Sequence, residues 1–186
     1  SRKMVFKDQD ITHLNQKELK SVRREMKMIF QDPYSSLDPK KDVLNIVAEP
    51  LKIHKIGKKS LMADKVKIVL QLVDLPYTEA FLKKVPDELS GGQRQRLGIA
   101  RALILGADFI VADEPVSMLD ASVKAGFTTL MMELRKKINL TYIFITHELA
   151  VAHNICDRIA VMYLGKIVEQ GKHQELLRNK SFYYQL

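Results

Sequence analysis

Between residues 90 and 163 the chain alternates amphipathic, helix-length stretches with apolar runs of four or five residues, and this alternation restricts the fold more than any other feature. Leu97, Ile99, Ala100, Leu103 and Ile104 recur at helical spacing in a stretch that opens near Ser90, and Phe109-Ile110-Val111-Ala112 then reads as a strand. Residues 123–138 form a second helical stretch, residues 141–145 a second strand, and residues 148–155 and 159–163 repeat the pattern. Strands this uniformly apolar are hidden on both sides, and strands separated by helices run parallel. The spacing therefore predicts an α/β domain with a parallel sheet covered on both faces, with ligands gathering beyond the carboxyl ends of the strands.

The first half of the chain has a different texture. Residues 4–6 and 26–30 are strand-like, with a polar helical stretch at 15–24 between them. From residue 43 to about residue 82 the pattern is helical. Val43, Leu44, Ile46, Val47 and Leu51 make one apolar face, and Leu61, Val66, Val69, Leu70 and Val73 make another. Pro50, Pro76 and Pro86 punctuate this region, which reads as a helical insertion in the α/β domain. No apolar run approaches the roughly 18 residues of a membrane span, so a membrane role requires a partner. The net charge is +8, but the basic residues are scattered, and clusters such as Arg135-Lys136-Lys137 lack the interleaved aromatics of a nucleic-acid platform. Cys156 is the only cysteine, so no intrachain disulfide forms and a reducing compartment fits.

Four short segments carry chemistry. In Leu89-Ser90-Gly91-Gly92-Gln93-Arg94-Gln95-Arg96, a serine followed by two glycines at a helix start offers a hydroxyl and open backbone N–H groups at the positive end of a helix dipole, which suits a phosphate. Read alone, it is an ordinary helix cap. The strand at 109–112 runs into Asp113-Glu114-Pro115, where one carboxylate can hold Mg²⁺ and the next can orient and deprotonate a water. His147 stands just past the strand at 141–145. Met28-Ile29-Phe30-Gln31-Asp32-Pro33 places a neutral amide, Gln31, able to exchange a metal or water contact without a change of charge.

Together, and in this order, these segments resemble those of the ATP-binding subunits of ABC transporters. The octet from Leu89 resembles the signature motif, and the run ending in Asp113-Glu114 resembles a Walker B motif with its catalytic glutamate. Val116-Ser117-Met118-Leu119-Asp120 resembles the D-loop, with Met118 where alanine is commoner; His147 resembles the switch histidine, and Gln31 the Q-loop glutamine. Gln31-Asp32-Pro33-Tyr34-Ser35-Ser36-Leu37-Asp38-Pro39 is closest to the peptide and nickel importer branch. The resemblance implies an α/β, P-loop NTPase-like nucleotide-binding domain that binds ATP and Mg²⁺ and hydrolyses ATP to drive import, the implied solutes being oligopeptides or dipeptides. It implies Glu114, His147 and Gln31 as catalytic, Ser90, Gly91, Gly92, Gln93 and Asp120 as nucleotide contacts, and Asp113 with Gln31 as magnesium ligands. The implied partners are transmembrane permease subunits, a second nucleotide-binding subunit, identical or paralogous, and indirectly a solute-binding protein, with no nucleic acid. The place would be the cytoplasmic face of the membrane.

On this reading residues 1–39 are a remnant of the N-terminal α/β region, 40–88 the helical subdomain, 89–172 the α/β core and 173–186 a C-terminal helix and tail. A cradle of the form Gly-x-x-x-x-Gly-Lys-Ser/Thr is not found; Gly57-Lys58-Lys59-Ser60 has an extra lysine and lies in the helical region. The expectation is a domain missing its N-terminal part and inactive by itself. A soluble ABC ATPase of DNA repair or translation, or a non-hydrolysing fragment, are the other readings.

Overall fold

The computed structural model describes residues 3–30, 37–57, 59–117 and 119–185, so Gln31 and Met118 lie outside the described residues. The chain opens with a small hairpin, β1 (Val5–Phe6) and β2 (Gln9–Asp10), turned by Lys7 and Asp8 at positive φ. Lys7 anchors it to the rest of the fold, its ammonium lying 2.7 Å from Glu25 and 2.8 Å from Asp108, and Phe6 meets Phe109 edge to face. Helix α1 (Gln16–Glu25) starts at Asn15, which forms a capping box with Glu18, and runs directly into β3 (Met26–Ile29).

The helical region follows. Asp42 caps α2 (Val43–Ile53), and its carboxylate accepts the Asn45 amide at 2.7 Å. Val43, Ile46, Val47 and Leu51 are buried as the periodicity requires, whereas Leu44 is exposed. Pro50 does not end the helix where it stands; it has no N–H to offer the Ile46 carbonyl, and the helix closes within a turn, at Ile53. Helix α3 (Lys59–Leu72) buries Val66, Val69 and Leu70, with Val73 just beyond it, but leaves Leu61 exposed. The short α4 (Glu79–Leu82) and a single 3₁₀ turn (Pro86–Glu88) lead to α5 (Gly91–Leu103).

Three parallel strands form the main sheet, in the order β3, β4 (Phe109–Asp113), β5 (Thr141–Ile145), with α6 (Ala121–Ile138) crossing from β4 to β5. The parallel α/β architecture is as the alternation predicted. Among the described residues, coverage of both faces is not. Ile110, Ala112 and Phe144 lie on the packed side, with Phe127 of α6 beside Phe144, while Met28, Ile143 and Ile145 on the other side are 42%, 53% and 46% exposed. The reason is handedness. Parallel crossovers are right-handed, and because the strand order advances in one direction, both connections land on the same face.

The second difference concerns residues 159–163. They form β6 (Ile159–Tyr163) but pair antiparallel with β7 (Lys166–Gly171) in a separate two-stranded sheet. Leu164 and Gly165, both at positive φ, close a two-residue hairpin whose twist matches that pairing. Helix α7 (Leu149–Ile155) precedes this hairpin, and α8 (His173–Asn179) and α9 (Phe182–Gln185) follow it. One apolar core joins α2, α3, α5 and α6 to the packed face of the sheet. No helix among the described residues is long and apolar enough to cross a membrane.

Candidate functional site

The site grows from the ends of β4 and β5. Register pairs Asp113 with Ile145, so both strands finish level, and Glu114 extends the ladder by donating its amide to the Ile145 carbonyl at 2.9 Å. Glu114 has φ +43°, a left-handed conformation costly for a residue with a Cβ. Its carbonyl is held from the far side of the turn by the Ser117 amide at 3.2 Å and the Ser117 hydroxyl at 3.0 Å. Backbone strain fixed in this way is characteristic of residues whose side chain must be aimed. The Glu114 side chain meets His147: Nδ1 lies 3.3 Å from Oε1, with His147 largely exposed and Glu114 about two-thirds covered. The two strand ends thus deliver a carboxylate and an imidazole to one point, with the Asp113 carboxylate one residue away.

The signature segment forms a well-made helix tip. Ser90 caps α5, its hydroxyl accepting the Gln93 amide at 3.3 Å while the Gln93 side chain accepts the Ser90 amide at 3.0 Å. This reciprocal box leaves the Gly91 and Gly92 amides without an acceptor among the described residues, at the positive end of a 13-residue helix. A Cβ on Gly91 would meet open space, whereas one on Gly92 would come within 3.2 Å of Val123 in the first turn of α6. Glycine at 92 therefore permits close packing inside the chain, and glycine at 91 leaves the amides open to an approaching group. Asp120 caps α6 by accepting the Ser122 hydroxyl at 2.7 Å and the Val123 amide at 3.0 Å, bonds that hold its carboxyl below the usual carboxylate range.

Two polar side chains that the sequence reading left without a role are buried here. Gln95 is 3% exposed, and its Nε2 donates to the Pro115 carbonyl, which ties the signature helix to the turn that carries Glu114. Its Oε1 is buried with no partner among the described residues. Arg94, 7% exposed, donates to the carbonyls of Pro86 at 3.0 Å and Leu89 at 2.6 Å and so fixes the approach to Ser90. The available signal was position: Gln95 shares the helical stripe of Ile99 and Ala102, where an amide without a partner is out of place.

Gln95 also borders a cleft of about 270 Å³ between β3, α2 and α5, lined in part by Met28, Phe30, Ile53, His54 and Arg101. Its charge is positive. Burial, then the neighbouring Arg101, pushes the Lys27 ammonium down, and burial with Lys27, Lys20 and Arg24 lowers His54. Among the described residues no three His, Cys, Asp or Glu side chains converge to hold a metal alone. The fit for magnesium is accordingly that of an ion held by one or two carboxylates together with nucleotide phosphates, and Asp113 at a strand end supplies such a carboxylate.

The family model described as ABC transporter matches residues 2–117, more than half of the chain. The chain belongs to the ABC transporter family. Among its relatives, this ABC chain is 48% identical over 173 residues to the oligopeptide transport ATP-binding protein AppF of Bacillus subtilis (strain 168), covering 92% of this chain and 52% of that protein. It is 49% identical over 166 residues to OppF of the same organism, covering 89% and 54%. The chain thus spans about half the length of these relatives. In structure it is similar to the ATP-binding cassette MJ0796, solved as a dimer in a post-hydrolysis state with ADP and Pi, with a TM-score of 0.75, 28% identity and coverage of 90% of this chain and 71% of that one. The fold also matches cbiO1 from Clostridium perfringens, at TM-score 0.81 and 24% identity over 95% of this chain and 70% of that one.

Proposed function

We propose that this ABC chain is the catalytic part of an ATP-binding subunit that powers an importer of oligopeptides or dipeptides. The contact between His147 and Glu114 at the level ends of β4 and β5 carries this reading, because it supplies a base and a neighbouring hydrogen-bonding group where a parallel sheet presents its ligands. The names of the relatives AppF and OppF support the solute class.

In the proposed reaction Glu114 orients a water and takes its proton as that water attacks the terminal phosphate. His147 contacts the same phosphate and steadies Glu114. Asp113 holds magnesium, whose charge, when bound, offsets that developing on the phosphate oxygens. Ser90 and the amides of Gly91 and Gly92, with Gln93 behind them, face the nucleotide of a second copy or a paralogue, and Asp120 sits at the seam between the two subunits. The dimeric state of the similar cassette supports this pairing. Gln31, outside the described residues, belongs to the same proposal as a sensor of metal and water. So does the division of the chain at residues 1–39, 40–88, 89–172 and 173–186. The positive, partly apolar cleft beside Gln95 suits an acidic, partly apolar segment of a permease, which would place the protein on the cytoplasmic face of the membrane.

The test compares ATP turnover by the 186-residue chain with that of a form extended upstream to include a phosphate cradle. The extended form is expected to hydrolyse ATP, the chain alone to stay at background, and Glu114→Gln in the extended form to fall by about 100-fold or more. Equal turnover by the two forms, or an active Glu114→Gln variant, would overturn the proposal.

A further inference from the structure

The ion pair between Lys124 and Glu148 stands apart from the others in the fold. Its Nζ–Oε1 distance is 2.6 Å and each side chain is only 25% exposed, so among the described residues no other pair is as well covered on both sides. A pair so shielded from water is felt more strongly than a surface one, and losing one member leaves a half-buried charge without its partner.

Its placement is specific. Glu148 directly follows His147 and is the N-cap residue of α7, yet its side chain makes no capping bond and is spent on Lys124 instead. Its amide donates to the Thr146 hydroxyl at 3.0 Å, and its carbonyl accepts the Val151 and Ala152 amides, each at 3.1 Å. Residues 146–148 are thereby bound to one another and to α7. That helix has only 7 residues, too few to be stable by itself, so this unit takes its position from whatever it is fastened to. Val151 and Ile155 pack its far side into the core, and Lys124 is the polar fastening at its N-terminal end, where the histidine stands. This lysine lies one residue beyond Val123, which packs against Gly92 at the signature tip, and its own amide donates to the carbonyl of Asp120 at 2.9 Å. The first turn of α6 therefore touches the signature helix on one side and holds the histidine loop on the other.

We propose that Lys124 and Glu148 are positioning residues that hold His147 within reach of Glu114. The proposal rests on the reading of Glu114 and His147 as the hydrolytic pair. Neither Lys124 nor Glu148 touches the nucleotide in this scheme; both act through the loop that bears the imidazole. A loop freed from α6 lets His147 drift from its 3.3 Å contact, which slows the chemical step and leaves nucleotide binding alone.

The experiment measures kcat and KM for ATP in the full-length protein for Lys124→Met, Glu148→Gln, the exchanged pair Lys124→Glu with Glu148→Lys, and His147→Ala. Each neutralised variant is expected to lose about 5- to 10-fold in kcat with KM within about 2-fold of the parent. The exchanged pair is expected to recover at least half of that loss, which a general weakening of the fold would not do. Unchanged kcat in both neutralised variants, or an exchanged pair no better than either, overturns the proposal while His147→Ala remains impaired. A fully active His147→Ala defeats the hydrolytic reading itself. If a neutralised variant fails to fold, the exchanged pair compared directly with the parent decides: near-parental kcat supports the proposal, and kcat at least 5-fold lower with normal melting refutes it.

Discussion

Replacing Arg94 with methionine removes a buried guanidinium and keeps much of the side chain's apolar stem. The structure sets the cost. Arg94 donates to two carbonyls, but that of Pro86 keeps a second donor, the Leu89 amide at 3.1 Å, whereas that of the buried Leu89 keeps none among the described residues. One stripped buried acceptor costs about 1–3 kcal/mol, and loss of the charge-assisted bond to Pro86 adds about 1 kcal/mol. Relief of the guanidinium's own desolvation works in the opposite direction, so the net destabilisation is about 2–3 kcal/mol. For a chain of this size each kcal/mol moves the melting temperature by about 2–4 °C, giving an expected fall of about 4–12 °C. Circular dichroism melts of the 186-residue chain and its Arg94→Met variant, with a urea series to verify an unchanged slope, measure it. Arg94→Lys should fall between the two, since a single nitrogen, Nη1, serves both carbonyls and a lysine keeps a charged donor but carries it on a differently placed, more strongly hydrated head. A shift below about 2 °C, or a lysine variant less stable than the methionine one, would refute the assignment of stability to these bonds.

Three further outcomes are expected. The hydrogen bond from Lys41 first, then the charge of Arg101, holds the Glu49 carboxyl below its ordinary 4.5, so the stabilisation it gives is complete above that value and is lost as pH falls through the lower folded one. Melting curves of the parent and Glu49→Gln should therefore differ near neutral pH and converge in acid; a gap that widens on acidification contradicts the sign. Leu130→Ala empties a site that is 2% exposed in the middle of α6 and should cost about 2–5 kcal/mol, read as a lower urea midpoint. Burial pushes the Cys156 thiol up, so alkylation by iodoacetamide at neutral pH should be slow in the folded chain and rapid in urea, and equal rates would show the thiol to be open.

Much of this was legible beforehand because hydrophobic period is a local property. The runs at 109–112 and 141–145 became β4 and β5 nearly to the residue, and the residues past their ends became the place where Glu114 and His147 meet. What stayed hidden depends on three-dimensional arrangement. No periodicity states that both crossovers lie on one side of the sheet, because that follows from strand order. An apolar run at 159–163 looks the same whether it joins a parallel sheet or a hairpin; the Leu164-Gly165 turn was the deciding sign. The ion pair of Lys124 with Glu148 joins residues 24 apart and has no motif to announce it.

The bare side of the three-stranded sheet has a practical corollary for the bench. Met28 and Ile143 flank Val111 in the register and Ile145 lies two residues further along, an oily plate beside the acid pair. Such a plate seeks cover, so concentrated preparations of these residues alone will cluster through it. Dilute samples, mild detergent or a lysine substitution at Ile143 would keep them dispersed.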